Sequence, residues 1–502
     1  MRTMTFQKGV SGVVCALAAV FVSPSASGQV LNESAKLLAS DTAAGDGFGR
    51  FVSIAGDVAV VGAFLDGDNG PNSGSAYVFR WNGTSWVQEQ KLLASDGAAD
   101  DVFGGCVSVS GGVAIVAAPY HDDNGSSSGS AYVFRYDPVQ TICGQKWCEE
   151  QKLLASDGAA GDEFGHYVSV SGDVAVVGAN VDDGKGSAYV LRYDPAQTIC
   201  GQKWCEEQKL LASDGAAGDF FGVSVSVSGG VAVVGANQHD DNGSDSGSAY
   251  VFRWNGSSWV QGQKLLASDG AAGDGFGGSL SVSGDVAIVG AVHDDNAGGT
   301  DAGSAYVFRW NGSSWVQEQK LLASDGAAGD VFGVSVSVSG GVAVVGAAYG
   351  DGTVADSGSA YVFRWNGSSW VQEQKLRASD GTTNDIFAQS VSVSSDVAVV
   401  GAYWDDDKGT DSGSAYVFNL DVGTCCISNG SCEATGNCQE NVTEVACLGL
   451  GGRFFGPNLS CTEVCANGAC IPTVSAWGIV VLLLLLTTAG TIMLALGRVP
   501  AR

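Results

Sequence analysis

Clustered carboxylates, three histidines that each precede Asp-Asp-Asn, and closely spaced cysteines are the residues here whose type and spacing could do chemistry. Asp66-Gly67-Asp68-Asn69-Gly70 and Asp405-Asp406-Asp407-Lys408-Gly409-Thr410-Asp411 put several oxygens on a turning backbone, the donor set that hard cations take. A third stretch supplies Asp240, Asp241 and Asp245. Asp66, Asp68, Asp240, Asp241, Asp245, Asp405, Asp407 and Asp411 are therefore candidate ligands for Ca2+, the one cofactor the sequence suggests. Neither run has a full calcium-cage spacing, and aspartate is also an ordinary loop former, so a plain solvated loop is the competing reading.

His121, His239 and His293 occupy one equivalent loop position in different repeats. Packed sheets stand about 10 Å apart, so histidines on different sheets should not share an ion, and the expectation is three solvated loop histidines. His166, at a strand start, suggests nothing more. A catalytic site needs an asymmetric set of groups converging on one spot. Here the polar residues recur with the repeat and the serines lack a neighbouring base, so no catalytic residue is assigned. Asn82, Asn255, Asn311 and Asn366 match a glycosylation triplet, which a hairpin turn explains fully.

The elements that must position these groups come from a repeat. Lys-Leu-Leu-Ala-Ser-Asp begins at Lys36, Lys91, Lys152, Lys209, Lys264 and Lys320, with Lys-Leu-Arg-Ala-Ser-Asp at Lys375. Each copy continues to Asp-x-Phe, at Phe48, Phe103, Phe164, Phe221, Phe276, Phe332 and Phe387. In the fourth copy Val223–Val227 alternates as a strand does, and Ser228-Gly229-Gly230 is a tight turn. Val231–Ala236 is an apolar run expected of a strand covered on both faces. An acidic loop, 237–246, leads to a third strand at Ser248–Arg253, and Asn255-Gly256 turns the chain into a fourth at Trp259–Leu266.

Four antiparallel strands repeated seven times predict an all-β, seven-bladed β-propeller, because neither face of such a sheet is polar enough for water and radial closure covers them all. The last copy stops at Leu420 without a fourth strand, and Val30–Leu38, ahead of the first blade, has the pattern of the missing one. It should pair into the last blade and lock the ring, removing an open edge. Loops 2–3 and 4–1 then share a face, which carries a ring of carboxylates.

Asp-x-Phe-Gly followed by Val-Val-Gly-Ala resembles the FG-GAP repeat of integrin α-chain propellers, in a bacterial variety, over residues 36–420. The integrin repeat often holds calcium in Asp-x-Asp-x-Asp-Gly between its first two strands. Here that connection is only Ser171-Gly172-Asp173 or Ser228-Gly229-Gly230, so the resemblance brings no metal site with it.

Composition narrows the role. With 53 Asp+Glu against 24 Lys+Arg the net charge is −29, which repels nucleic acid. Hydrophobic residues at 45% exclude disorder, and the 74 glycines have no three-residue period, which excludes collagen.

Residues 1–28 order charged, apolar and small residues as a secretory signal does, with cleavage expected after Gly28. Residues 479–496 are long and apolar enough to form a transmembrane helix, followed by Arg498 and Arg502. With Ile471, Pro472, Thr473, Trp477 and Gly478 ahead of it, the tail 471–502 resembles the IPTL-type C-terminal sorting signals of bacterial surface proteins. The resemblance implies processing by an exosortase-like membrane enzyme; a plain tail anchor is the alternative.

An exported chain with 14 cysteines should carry disulfides. Cys143 with Cys148, and Cys200 with Cys205, lie in lengthened 3–4 hairpins and should each close a local bridge. Cys425, Cys426, Cys432, Cys438, Cys447, Cys461, Cys465 and Cys470 crowd 421–470, which reads as a small module stapled by four bridges of undetermined connectivity. Cys106, where other copies have Phe51 and Tyr167, is expected to be a buried thiol.

The expectation is thus a signal peptide (1–28), a propeller (29–420), a cysteine-rich module (421–470) and a sorting signal (471–502). The expected role is a non-enzymatic, adhesion-like surface protein, located at the cell surface or envelope. Its acidic loop face should bind an extracellular protein, glycan or matrix component. A purely structural envelope component is the alternative, and a secreted hydrolase would need an acid–base pair that the sequence does not offer.

Overall fold

In the fourth repeat the strands run Val225–Ser228, Val231–Ala236, Ser248–Trp254 and Trp259–Leu265, hydrogen-bonded in that order as an antiparallel sheet. The second strand is buried along nearly its whole length, as a continuous apolar run requires when both faces are covered. The same sheet forms seven times, giving a seven-bladed propeller. The computed structural model describes residues 29–420 and three further strands, Val422–Ile427, Cys438–Thr443 and Gly452–Pro457, which pair as a small antiparallel sheet.

Adjacent blades are joined by backbone as well as by side chains. The innermost strand of each blade turns an edge toward its neighbour, and the alternating serines cap that edge. Val227 N donates to Ser169 Oγ (3.0 Å) and Val282 N to Ser226 Oγ (3.0 Å), each pair bridging two consecutive blades. The pattern crosses the seam of the ring, where Val52 N and Ile54 N of blade one donate to Ser390 and Ser392 of blade seven. A second contact explains a glycine present in all seven copies. Gly413, which opens the third strand of blade seven, lies against the backbone of Phe48 in blade one at φ +83°, where a Cβ would stand 2.0 Å from the Phe48 carbonyl oxygen. Phe48 itself packs edge-on against Tyr77, with ring centroids 5.5 Å apart.

The expected single strand at Val30–Leu38 is two shorter ones. Gln29–Leu31 adds in parallel to Trp370–Leu376, the outer strand of blade six. Ala35–Leu37 pairs antiparallel with Ser414–Asn419 and supplies the fourth strand of blade seven. Residues 32–34 spend their length crossing from one blade to the next, so no continuous strand can form. Both segments are anchored by buried leucines, Leu31 and Leu37.

Cys143–Cys148 and Cys200–Cys205 are disulfide-bonded in the hairpins where they were expected. Cys106 is buried and unpaired; burial pushes its thiol up to about 12, and its Sγ accepts a hydrogen bond from Val168 N. Among the described residues no helix is long and apolar enough to cross a membrane. The signal segment, the side chains of the eight clustered cysteines, the sorting motif Ile471, Pro472, Thr473, Trp477 and Gly478, and the apolar segment 479–496 lie outside the described residues.

Because Leu37 is 2% exposed and holds the only fourth strand of blade seven, Leu37→Ala should cost about 2–5 kcal/mol in chemical denaturation. Leu38→Ala, at a half-buried position beside it, should cost under about 1.5 kcal/mol. Equal effects would mean that the N-terminal segment does not close the ring.

Candidate functional site on the loop face

The aspartate of each Asp-x-Phe motif sits in loop 4–1 and caps the turn that leads into the blade. Asp46 accepts from Ala43 N at 2.6 Å and Asp219 from Ala216 N at 2.6 Å. Burial raises the carboxyl of Asp46, with the Ala43 amide acting the other way. These acids are turn formers.

The remaining loop acids meet a cation supplied by the repeat itself. Lys91, near the end of the fourth strand of blade one, reaches back across the sheet. Its Nζ lies 2.9 Å from Asp41, 2.8 Å from Asp66 and 2.6 Å from Asp68. Tyr77 OH lies between Asp41 (2.9 Å) and Asp66 (2.8 Å), its single proton shared between them, tying the loops to the third strand. Burial works against charge on Lys91, but its hydrogen bonds to Asp66 and Asp68 win and hold the ammonium well above its usual range. Asp41 is likewise held below the usual carboxylate range: burial opposes its charge, and Lys91 and Tyr77 outweigh burial.

Equivalent lysines do the same elsewhere. Lys36, arriving with the closing strand, bonds Asp380 (2.8 Å), Asp405 (3.1 Å) and Asp407. Lys209 takes Asp157 and Asp182, and Lys320 takes Asp269 and Asp294.

Five of the eight candidate calcium ligands are therefore held on three lysines. Asp66 and Asp68 meet on Lys91, Asp405 and Asp407 on Lys36, and Asp241 pairs with Lys264. Asp240 is spent on its own loop, accepting from Asp245 N at 2.9 Å. Asp411 stands apart, donating its amide to Asp406 at 2.8 Å. An ammonium already stands among the best-clustered oxygens.

Two of the three histidines depart from the solvated-loop expectation. His121 and His239 have side chains only 12% exposed, each between acids of loops 2–3 and 4–1. Asp96, His121 and Asp123 converge, as do Asp214, His239 and Asp241, but Lys152 and Lys264 share those sites. The reason is folding across loops: Asp96 and Asp214 come from the preceding loop 4–1, distant in sequence. His293 is exposed and pairs with Asp301 at 3.2 Å.

At the centre of this face the sevenfold regularity stops. A cavity of about 480 Å3 opens there, lined by Arg50, Phe51, His166, Tyr167, Asn237 and Gln389 among others. These residues follow Phe-Gly or Val-Val-Gly-Ala in their blades (Phe387-Ala388 before Gln389), the places where the first strand begins and the second ends. Phe51 and Tyr167 meet edge-on with centroids 5.5 Å apart, over the small Cys106 of the intervening blade. The Arg50 guanidinium lies 4.8 Å from the Tyr403 ring and 5.5 Å from that of Phe51. The sequence reading missed this set, although the signal was there as the few positions at which near-identical repeats disagree.

The repeats match the family model described as FG-GAP repeat at residues 31–79, 86–134, 147–191, 204–252, 259–308, 315–363 and 370–418, more than half of the chain. The chain belongs to the FG-GAP repeat family. No curated protein matches it. Among solved structures it is similar to a chain of the mitotic checkpoint complex, at 10% identity and a TM-score of 0.46, covering 84% of this chain and 99% of that one. It is also similar to Sqt1 of Saccharomyces cerevisiae, at 10% identity and a TM-score of 0.42, covering 78% and 100%. A third, from Bacteroides fragilis and named as a candidate 6-phosphogluconolactonase, shares 10% identity at a TM-score of 0.43, covering 66% and 85%.

In this FG-GAP propeller a cation entering between Asp66 and Asp68 would have to displace the Lys91 ammonium. Lys91→Met should free Asp41, Asp66 and Asp68, and millimolar Ca2+ should then raise the melting temperature of the variant while leaving that of the parent unchanged. A parent that is itself stabilised by Ca2+ would show that the ammonium does not hold the site.

Proposed function

We propose that this FG-GAP propeller is an exported, surface-associated binding protein whose loop face takes an extracellular partner in an adhesion-like role. The propeller fold fits a non-enzymatic binding or structural role. What favours binding is a single observation: repeats that agree almost residue for residue along their strands diverge where they meet the centre of the loop face. A scaffold that only needed to stand would have no use for that divergence. Around the cavity the same face also exposes Tyr120, Tyr349 and Trp404, large rings left in solvent on loops 2–3. Exposed aromatics grouped around a concave centre are the usual anchors of a recognition surface.

The leading segment 1–28 supports export, and the tail 471–502 supports retention at the envelope through an exosortase-like enzyme or as a plain anchor. The acid–histidine pairs of this face do not argue for hydrolysis: His121 and His239 share their aspartates with the repeat lysines, and His166 meets Glu163 at 3.4 Å without a nucleophile assigned beside them.

Fluorescently labelled full chain, applied to cells, matrix proteins and glycan arrays, tests the proposal. The parent should bind at least one class, and Tyr120→Ala with Trp404→Ala should weaken that binding roughly tenfold or more. Asn255→Ala, in a hairpin on the opposite face, should leave it unchanged. Binding to nothing, or loss only with the hairpin variant, would favour the structural role.

A further inference from the structure

We infer that the cavity at the centre of the loop face is a binding site for a singly charged sugar acid, a pyranose carrying one carboxylate, with Arg50 as its anion anchor. The inference rests on the binding role proposed above and assigns its chemistry.

The first ground is a charge anomaly. Acids outnumber bases by 53 to 24 in this chain, and the repeat lysines of the loop face are met by Asp. Arg50 is on the same face, yet no carboxylate lies within 4 Å of it among the described residues, and no Asp or Glu lines the cavity. Instead the guanidinium lies among three rings, 4.8 Å from the centre of Tyr403, 5.5 Å from Phe51 and 6.0 Å from Phe64. A guanidinium among aromatic rings with no carboxylate partner has N–H groups left for a ligand, and the group that best matches them is a carboxylate.

The second ground is an unmet acceptor. Asn237 Oδ1 is buried at the cavity wall without a hydrogen-bond donor among the described residues. A buried acceptor in that state costs free energy unless a donor arrives, and hydroxyl groups are donors. Gln389 and His166, the latter with its Nδ1 3.4 Å from Glu163, add two more groups able to exchange hydrogen bonds with hydroxyls.

The third ground is the floor. Phe51 and Tyr167 present a T-shaped aromatic pair, half-buried, to the cavity. In blades four to seven the residue equivalent to Phe51 is serine, and three of these serines are spent on the neighbouring blade: Ser224, Ser279 and Ser335 donate to Gly277, Gly333 and Ala388 carbonyls. The aromatic floor therefore belongs to one side of the ring, where blades seven, one and three bring Gln389, Arg50 and His166 together. That is an asymmetric constellation, which repeat structure alone does not require.

A carboxylate, several hydroxyls and a flat C–H face describe a sugar acid better than a peptide carboxylate, which lacks the hydroxyls. Phosphate and polyanions are disfavoured, since a single arginine faces a net charge of −29. The volume of about 480 Å3 lies in the range of small-ligand sites.

Isothermal titration of the full chain with methyl β-glucuronide, methyl β-glucoside and N-acetyl-aspartate amide tests this. The glucuronide should bind, the glucoside about tenfold weaker or less, and the aspartate amide weaker than the glucuronide. Arg50→Gln should remove the preference for the glucuronide without lowering the melting temperature. If that variant does not fold, Arg50→Lys, which keeps the charge and loses the fork, should still weaken glucuronide binding about tenfold. Equal binding of glucuronide and glucoside, no binding of either, or tighter binding of the aspartate amide would overturn the assignment. Displacement of labelled chain from its cell or matrix target by the glucuronide separates the two levels: a target that binds but is not displaced, with no glucuronide bound, sinks the sugar-acid site and leaves the surface-binding role standing.

Discussion

Backbone meeting backbone at the junction between blades is the constraint on which the rest of this molecule depends. Where Gly413 meets Phe48, the chains are too close for any side chain. The same approach recurs at Gly74 with Phe103 and at Gly358 with Phe387. This closeness is what the repeated Phe-Gly and Gly-Ser-Ala-Tyr segments encode. It also brings the innermost strands near enough for serine hydroxyls to cap their neighbours' amides, so the inner edge of each sheet is satisfied without a continuous ladder.

Once the blades are held at that spacing, loops 2–3 and 4–1 of each blade fall together and their acids must be neutralised. The repeat supplies its own cation for this. The lysine that opens Lys-Leu-Leu-Ala-Ser-Asp ends one sheet and reaches the carboxylates of two loops, as Lys91 does with Asp41 and Asp66. The acidic rim is thus bridged from within, one ammonium holding several carboxylates at Lys36 and again at Lys91, while its net charge stays negative. An uncompensated charge at its centre, Arg50, stands out against it, and so does the one-sided set of aromatics.

Much of the fold was legible because its causes are local. The Val-Ser alternation, the apolar Val231–Ala236 run and the Asn-Gly turns each act over a few residues; the first two recur with small changes in every copy, and the turn in four of them. Closure was legible in outline, since Leu37 completes a motif that blade seven lacks; the break at residues 32–34 was not, because it depends on the distance between blades six and seven. The site was less legible. Which cation would meet Asp66 depended on Lys91, 25 residues away, and the burial of His121 depended on Asp96 from the loop before. Sequence spacing carries no such information. The central cavity was hidden for the opposite reason: attention to what the repeats share passes over Arg50, His166, Asn237 and Gln389, which matter by differing.

The most direct test of the account compares two glycine substitutions by equilibrium unfolding. Gly83 and Gly413 both have positive φ, +97° and +83°, so alanine pays a similar backbone cost of about 1–2 kcal/mol at each. Gly83 faces open space, whereas Gly413 faces the Phe48 backbone across the seam of the ring. The account predicts that Gly413→Ala costs about 1–3 kcal/mol more than Gly83→Ala, because the seam must open to admit a methyl group. Equal costs at the two positions would contradict it.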